Sequence, residues 1–141
     1  IEEHVVKAVY DLTKSNLNNQ NILMNSCYKI INSSEADDPN LVKVVTSQDG
    51  NALYFSRSKI PYPRDHHFEE FKCHIGIYGF SMLGLERFCA LSAAPIEHIE
   101  KLEQLRALYN GYKISMVEVE TKSFGIDTQE DLEKALKFHI L

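Results

Sequence analysis

Two hydrophobic periods take turns along this chain, and that alternation is what most restricts its fold. Short runs rich in β-branched residues, Ile22 to Ile31, Leu41 to Thr46, Lys72 to Phe80 and Ile114 to Val119, read as strands. Between them lie stretches whose apolar residues recur every three to four positions. Val5, Val6, Val9 and Leu12 place one buried stripe on a helix over residues 2–17. Met82 to Leu91 reads as a short helix. Pro95 opens another, whose stripe is Ile96, Ile99, Leu102, Leu105 and Leu108 and whose stop is Gly111. A last helix runs from about Gln129 to His139. Strands alternating with helices favour an α/β fold. Asp49-Gly50 supplies a tight turn, so Ala52 to Ser56 returns on Leu41 to Thr46 as a hairpin, and the expected sheet is mixed. Ser33 to Asn40 is a loop with a helical turn near Ser34-Glu35-Ala36, and residues 59–71 form an irregular excursion.

At 141 residues the chain is one domain's worth of polypeptide or part of one. A hydrophobic fraction of 44% and a charged fraction of 25% suit a water-soluble globular protein. The net charge of −5 argues against a nonspecific nucleic-acid binder, which needs a basic face. Cys27, Cys73 and Cys89 are odd in number and widely spaced, so neither a disulfide framework nor a zinc site is expected. They read as reduced, mostly buried thiols of a cytoplasmic protein. No apolar run has the length to cross a bilayer, so no membrane partner is expected.

The run Phe124-Gly125-Ile126-Asp127-Thr128-Gln129-Glu130-Asp131-Leu132 carries the sharpest chemical suggestion. Thr128 is placed to cap the last helix, with Asp131 three residues on completing a capping box. That leaves Asp127 free, one step ahead of the helix. A carboxylate there either adds stabilising charge at the helix N-terminus or holds a hard cation such as Mg²⁺ beside a phosphate.

Other blocks keep this run company in a fixed order. They are Asn40-Leu41-Val42-Lys43-Val44-Val45, followed by Asn51 to Ser58 and Ile60 to Asp65; His74-Ile75-Gly76-Ile77-Tyr78-Gly79-Phe80; and Ile99 to Leu108. Together they resemble the 3-deoxy-manno-octulosonate (Kdo) cytidylyltransferase family, from about residue 38 to the C-terminus and more loosely back to Ile1. The resemblance implies a three-layer α/β/α fold of the nucleotide-diphospho-sugar transferase type. Neither that family's basic phosphate-wrapping loop nor its Gly-Asp-Glu-Pro run appears here. The chain is therefore expected to be the C-terminal part of one cytidylyltransferase domain, with residues 50–92 as an antiparallel sugar-binding and dimerisation subregion.

The implied reaction is synthesis of CMP-Kdo from CTP and Kdo for lipopolysaccharide, by an intact homodimeric enzyme whose cofactor is Mg²⁺. The implied alternatives are a cytidylyltransferase for another sugar acid such as sialic acid, or a non-catalytic sugar-binding and dimerisation piece. Without a phosphate-cradling loop, this chain is expected to be inactive alone. The resemblance makes Asp127 a metal ligand, shared with an Asp of the missing run, and hence catalytic. It makes Arg57, His74, Tyr78, Glu103 and Gln104 the sugar-acid-binding residues. Read from the residues alone, Arg57 is a surface arginine or a two-pronged carboxylate binder. His74 is a satisfied core histidine or a ligand. It shares a strand face with Gly76 and Tyr78, the glycine leaving room between the two. Glu103 and Gln104 edge the buried stripe. Glu97, Glu100, Lys101 and Arg106 read as surface charges, and His66 and His67 carry no assigned role. Gln129 stands where the family often has Pro, and residues 64–73 match poorly, which leaves Arg64 and Asp65 unassigned.

Overall fold

In the computed structural model, residues 1–65, 67–122 and 128–139 are described. A five-stranded mixed sheet forms the centre, in the order β3-β2-β4-β1-β5. Its strands are β1 (Ile22–Ile31), β2 (Lys43–Thr46), β3 (Ala52–Ser56), β4 (Phe71–Gly79) and β5 (Lys113–Glu118). The helices are α1 (Glu3–Ser15), α2 (Met82–Ala90), α3 (Pro95–Glu100), α4 (Leu105–Tyr109) and α5 (Gln129–His139), with a 3₁₀ turn at Glu35–Asp37. β1 runs parallel to β5 and antiparallel to β4, and β2–β3 is an antiparallel hairpin.

Alternation sends each strand's side chains to two different layers. Val5 and Val9 of α1 pack with Cys27, Ile75, Ile77, Val117 and Val119 on one face. The opposite face is the larger core. There Leu23, Met24, Ile114 and Met116 of the sheet meet Val44, Ala52 and Phe55 of the hairpin and Leu102, Leu105 and Ala107 of the α3–α4 region. The hairpin joins β4 through only one paired position, Lys43 with Cys73, yet its far end bridges Asn51 to Ser115 of β5. The sheet therefore curls on itself, and its hairpin edge closes over the face that carries Ile114 and Met116. Gly50 serves the turn with a φ of 84°, a region L side chains avoid, and its carbonyl accepts the Met116 N–H at 2.9 Å. At Gly84 a Cβ would stand 2.6 Å from the Leu23 carbonyl, so a glycine lets α2 lie flush on β1.

The strands, the hairpin and the first and last helices lie where their patterns put them. The helix expected to run unbroken from Pro95 to Leu108 is instead two short helices. Lys101 adopts the left-handed conformation (φ 56°, ψ 46°) and breaks the period. Ile99, expected on the buried stripe, is 79% exposed. The side chain that caps the break is Arg57. Its Nε donates to the Glu100 carbonyl at 2.8 Å and its Nη2 to the Lys101 carbonyl at 3.3 Å. These are acceptors that a helix end leaves unsatisfied. The chain then turns so that Leu102 and Leu105 are buried.

Two residues read as surface charges are not. Glu97 is 8% exposed, and Arg106 grips its carboxylate with two donors, Nε at 3.0 Å and Nη2 at 2.6 Å. The same carboxylate accepts the Ala94 N–H at 2.9 Å, the acidic half of a capping box whose first residue has no side-chain oxygen. Arg106 also lies over the Phe88 ring at 5.2 Å, which ties α2, α3 and α4 together. Glu100 accepts the Arg57 backbone N–H at 3.0 Å.

Candidate functional site

β4 carries His74 to the hairpin side of the sheet, under the β3 residue Phe55. The two rings meet edge to face with centroids 4.9 Å apart. Tyr78, four residues along β4, tilts towards the same imidazole at 5.4 Å. A Cβ added at Gly76 between them would meet nothing within 4 Å, so the glycine does leave open space there. From the other layer, the break after α3 delivers Gln104, which is 5% exposed, with its Nε2 3.5 Å from His74 Nδ1. Glu103 beside it is largely exposed and lies 3.8 Å from Arg106. The structure thus brings His74, Tyr78 and Gln104 together, with Glu103 at the rim.

Arg57 sits two residues past Phe55. It spends three guanidinium donors on carbonyls: Pro39 at 3.1 Å, Glu100 and Lys101. It shapes the wall that holds Gln104, and of its five N–H groups two remain for a ligand. Asp127, the expected metal ligand, lies outside the described residues. The helix start next to it is as expected. The Thr128 N–H donates to Asp131 Oδ2, and the Asp131 N–H to Thr128 Oγ1, both at 3.1 Å. This capping box occupies Thr128. Among the described residues no group of three or more His, Cys, Asp or Glu side chains could hold a metal ion.

Sequence reasoning missed Ser26. Across the β1–β4 ladder, Asn25 pairs with Gly79 but Cys27 with Ile75. Ser26 alone therefore opposes Gly76, Ile77 and Tyr78, a bulge in β4. Its fully buried hydroxyl fills the gap, 2.7 Å from the Ile77 carbonyl and 2.8 Å from His74 Nε2. No local sequence signal marks it, because the bulge is a property of the pairing.

Burial pushes the His74 imidazole down to about 4, so it is neutral near pH 7. Burial first, and the charge of Glu103 second, push the Tyr78 phenol up, so it stays protonated. Burial also pushes the Cys27 thiol up to about 11 and raises that of Cys73, which leaves both as inert core groups. Cys89, by contrast, is exposed. The cluster is therefore a neutral set of hydrogen-bonding groups with no nucleophile. It suits binding of hydroxyl-bearing molecules.

The His74 shift predicts a pH dependence of stability. An unfolded chain protonates His74 near 6.5 and the folded one only near 4. Between those values the unfolded state holds the extra proton, so stability falls as pH drops, by up to about 1.4 kcal/mol per unit. Above about 6.5 this contribution is complete. Urea unfolding across pH 4 to 7 should show the slope, and His74→Gln should flatten it.

Comparison with known proteins bears on this arrangement. A family model described as Cytidylyltransferase matches residues 2–114. A 3-deoxy-manno-octulosonate cytidylyltransferase of Nitratiruptor sp. is 52% identical over 134 residues, covering 95% of this chain and 56% of that protein. The one from Wolinella succinogenes is 48% identical, covering 97% and 58%. A solved structure of CMP:2-keto-3-deoxy-manno-octonic acid synthetase complexed with CTP superposes with a TM-score of 0.81 at 34% identity, covering 94% of this chain and 55% of that one. The chain thus spans a little over half the length of the curated relatives it matches. The family match takes in β1 to β4, the bulge with Ser26, and the His74–Tyr78–Gln104 cluster, and the chain belongs to the cytidylyltransferase family.

Proposed function

We propose that this chain supplies the sugar-acid side of an enzyme that makes CMP-Kdo from CTP and Kdo, releasing pyrophosphate, for lipopolysaccharide biosynthesis. The observation that carries the reading is the neutral cluster of His74, Tyr78 and Gln104 around the space at Gly76. It lies in a chain about half identical to proteins named for that reaction. Gln104 and Tyr78 offer donors and acceptors that match sugar hydroxyls, and Glu103 adds a rim acceptor. Arg57 keeps two N–H groups with which to meet the acid's carboxylate. In this reading these groups orient the sugar so that its anomeric oxygen attacks the α-phosphorus of CTP in line, and positioning is their whole contribution.

Mg²⁺ belongs to the same proposal. Bound by Asp127 and by a carboxylate outside this chain, it would neutralise charge on the phosphates. The antiparallel region within 50–92 is proposed to pair two subunits, and the working compartment to be the cytoplasm. No described helix is long and apolar enough to cross a membrane. The names of the relatives favour the eight-carbon acid over sialic acid.

Pyrophosphate release tests the reading. A polypeptide of the relatives' full length that carries this sequence should turn over CTP with Kdo and not with sialic acid. The 141-residue chain alone should release none. Turnover with sialic acid at the same efficiency would refute the substrate assignment.

A further inference from the structure

Ser26 has one hydroxyl proton and three close polar neighbours: the Ile77 carbonyl at 2.7 Å, the Ile75 carbonyl at 3.3 Å and His74 Nε2 at 2.8 Å. The carbonyls carry no proton of their own. If Ser26 donated to the imidazole, its oxygen would face the Ile77 carbonyl oxygen at 2.7 Å with nothing between them, which is repulsive. The favourable arrangement has Ser26 donating to Ile77 and accepting Nε2–H from His74. The neutral ring then carries its proton on Nε2, and Nδ1 is a bare acceptor. An acceptor at Nδ1 determines which end of the Gln104 carboxamide faces it. The NH₂ group must point at His74, as it does here at 3.5 Å. The carboxamide oxygen is then left without a protein partner among the described residues, in a side chain that is 5% exposed.

We infer that Ser26 is a positioning residue: from inside the β4 bulge it fixes the His74 tautomer and, through Nδ1, turns the Gln104 carbonyl oxygen to the ligand as an acceptor for a hydroxyl group. The inference rests on the proposal that a sugar acid binds here. It specifies the chemistry at that point as a hydroxyl donor and excludes a carboxylate, which the carbonyl oxygen would repel.

Long-range ¹H–¹⁵N spectra of the imidazoles test the geometry in this chain without catalysis, with His74 identified by its loss in His74→Gln. At pH 7 the wild-type ring should show a pyrrole-type Nε2 and a pyridine-type Nδ1. The reverse pattern, or an even mixture, would overturn the inference whether or not any variant folds. Ser26→Ala should shift the ring towards a mixture, and an unchanged ring would equally overturn it. In the full-length enzyme, Ser26→Ala should raise KM for the sugar acid about tenfold, roughly the worth of one well-made hydrogen bond, and leave KM for CTP within about twofold. A lost tautomer with both KM values unmoved would uphold the Ser26 geometry and overturn instead the placement of the sugar acid at this cluster.

Discussion

Asp127→Ala in the full-length enzyme is expected to abolish CTP-dependent pyrophosphate release, by about 1000-fold or more. Transfer of a nucleotidyl group gathers negative charge on the α-phosphate and the leaving pyrophosphate, and loss of a metal there is worth several kcal/mol of transition-state stabilisation. Asp127 stands one residue before the reciprocal cap of Thr128 and Asp131, so the cap itself survives the substitution. That separates the two readings of this carboxylate. If Asp127 only complements the positive end of α5, its removal costs about 0.3 to 1 kcal/mol of stability and leaves turnover intact. If it holds Mg²⁺, turnover collapses while the melting temperature barely moves. The variant should also show a weakened dependence of residual activity on magnesium concentration.

Arg106→Ala is expected to have the largest effect on stability, about 2 to 3 kcal/mol in urea unfolding. Its guanidinium meets both oxygens of a nearly buried carboxylate, and its removal leaves Glu97 unpaired between α3 and α4. The hydrogen bonds from Arg106, more than any other cause, hold the Glu97 carboxyl below the usual carboxylate range. Its contribution is therefore present above the unfolded-state value and is lost as pH falls through the folded one. A surface pair would contribute well under 1 kcal/mol. A double-mutant cycle with Glu97→Gln decides between these, since the pair seen here should couple by more than about 1 kcal/mol. Arg106→Lys keeps the charge but not the two-pronged grip, and should recover only part of the loss.

What could be read from the sequence and what could not divide along a physical line. β1 and α5 lie on the residues their patterns mark out, because a period-2 or period-3.6 stripe is a local property. The hairpin followed from Asp49-Gly50, and the cap of α5 from the spacing of Thr128 and Asp131. The break at Lys101 was hidden because the side chain that caps it, Arg57, lies more than forty residues away in the chain. Lys has no special liking for the left-handed region, so nothing local announced the turn. Glu97 and Arg106 looked like solvated charges for the same reason: nine residues separate them, and only the broken helix brings them together. At the site, His74, Gly76 and Tyr78 were legible as one face of a strand. Gln104 was named, but its burial against His74 depends on that unforeseen turn. Ser26 was invisible, since a bulge exists only once two strands have chosen a register.

The central claim is that the face built by His74, Tyr78 and Gln104 receives the sugar acid and not the nucleotide. Steady-state kinetics of Gln104→Ala in the full-length enzyme test it most directly. KM for Kdo should rise about tenfold or more, the loss of one or two hydrogen bonds to hydroxyls, while KM for CTP stays within about twofold. A raised KM for CTP with that for Kdo unchanged would contradict the account.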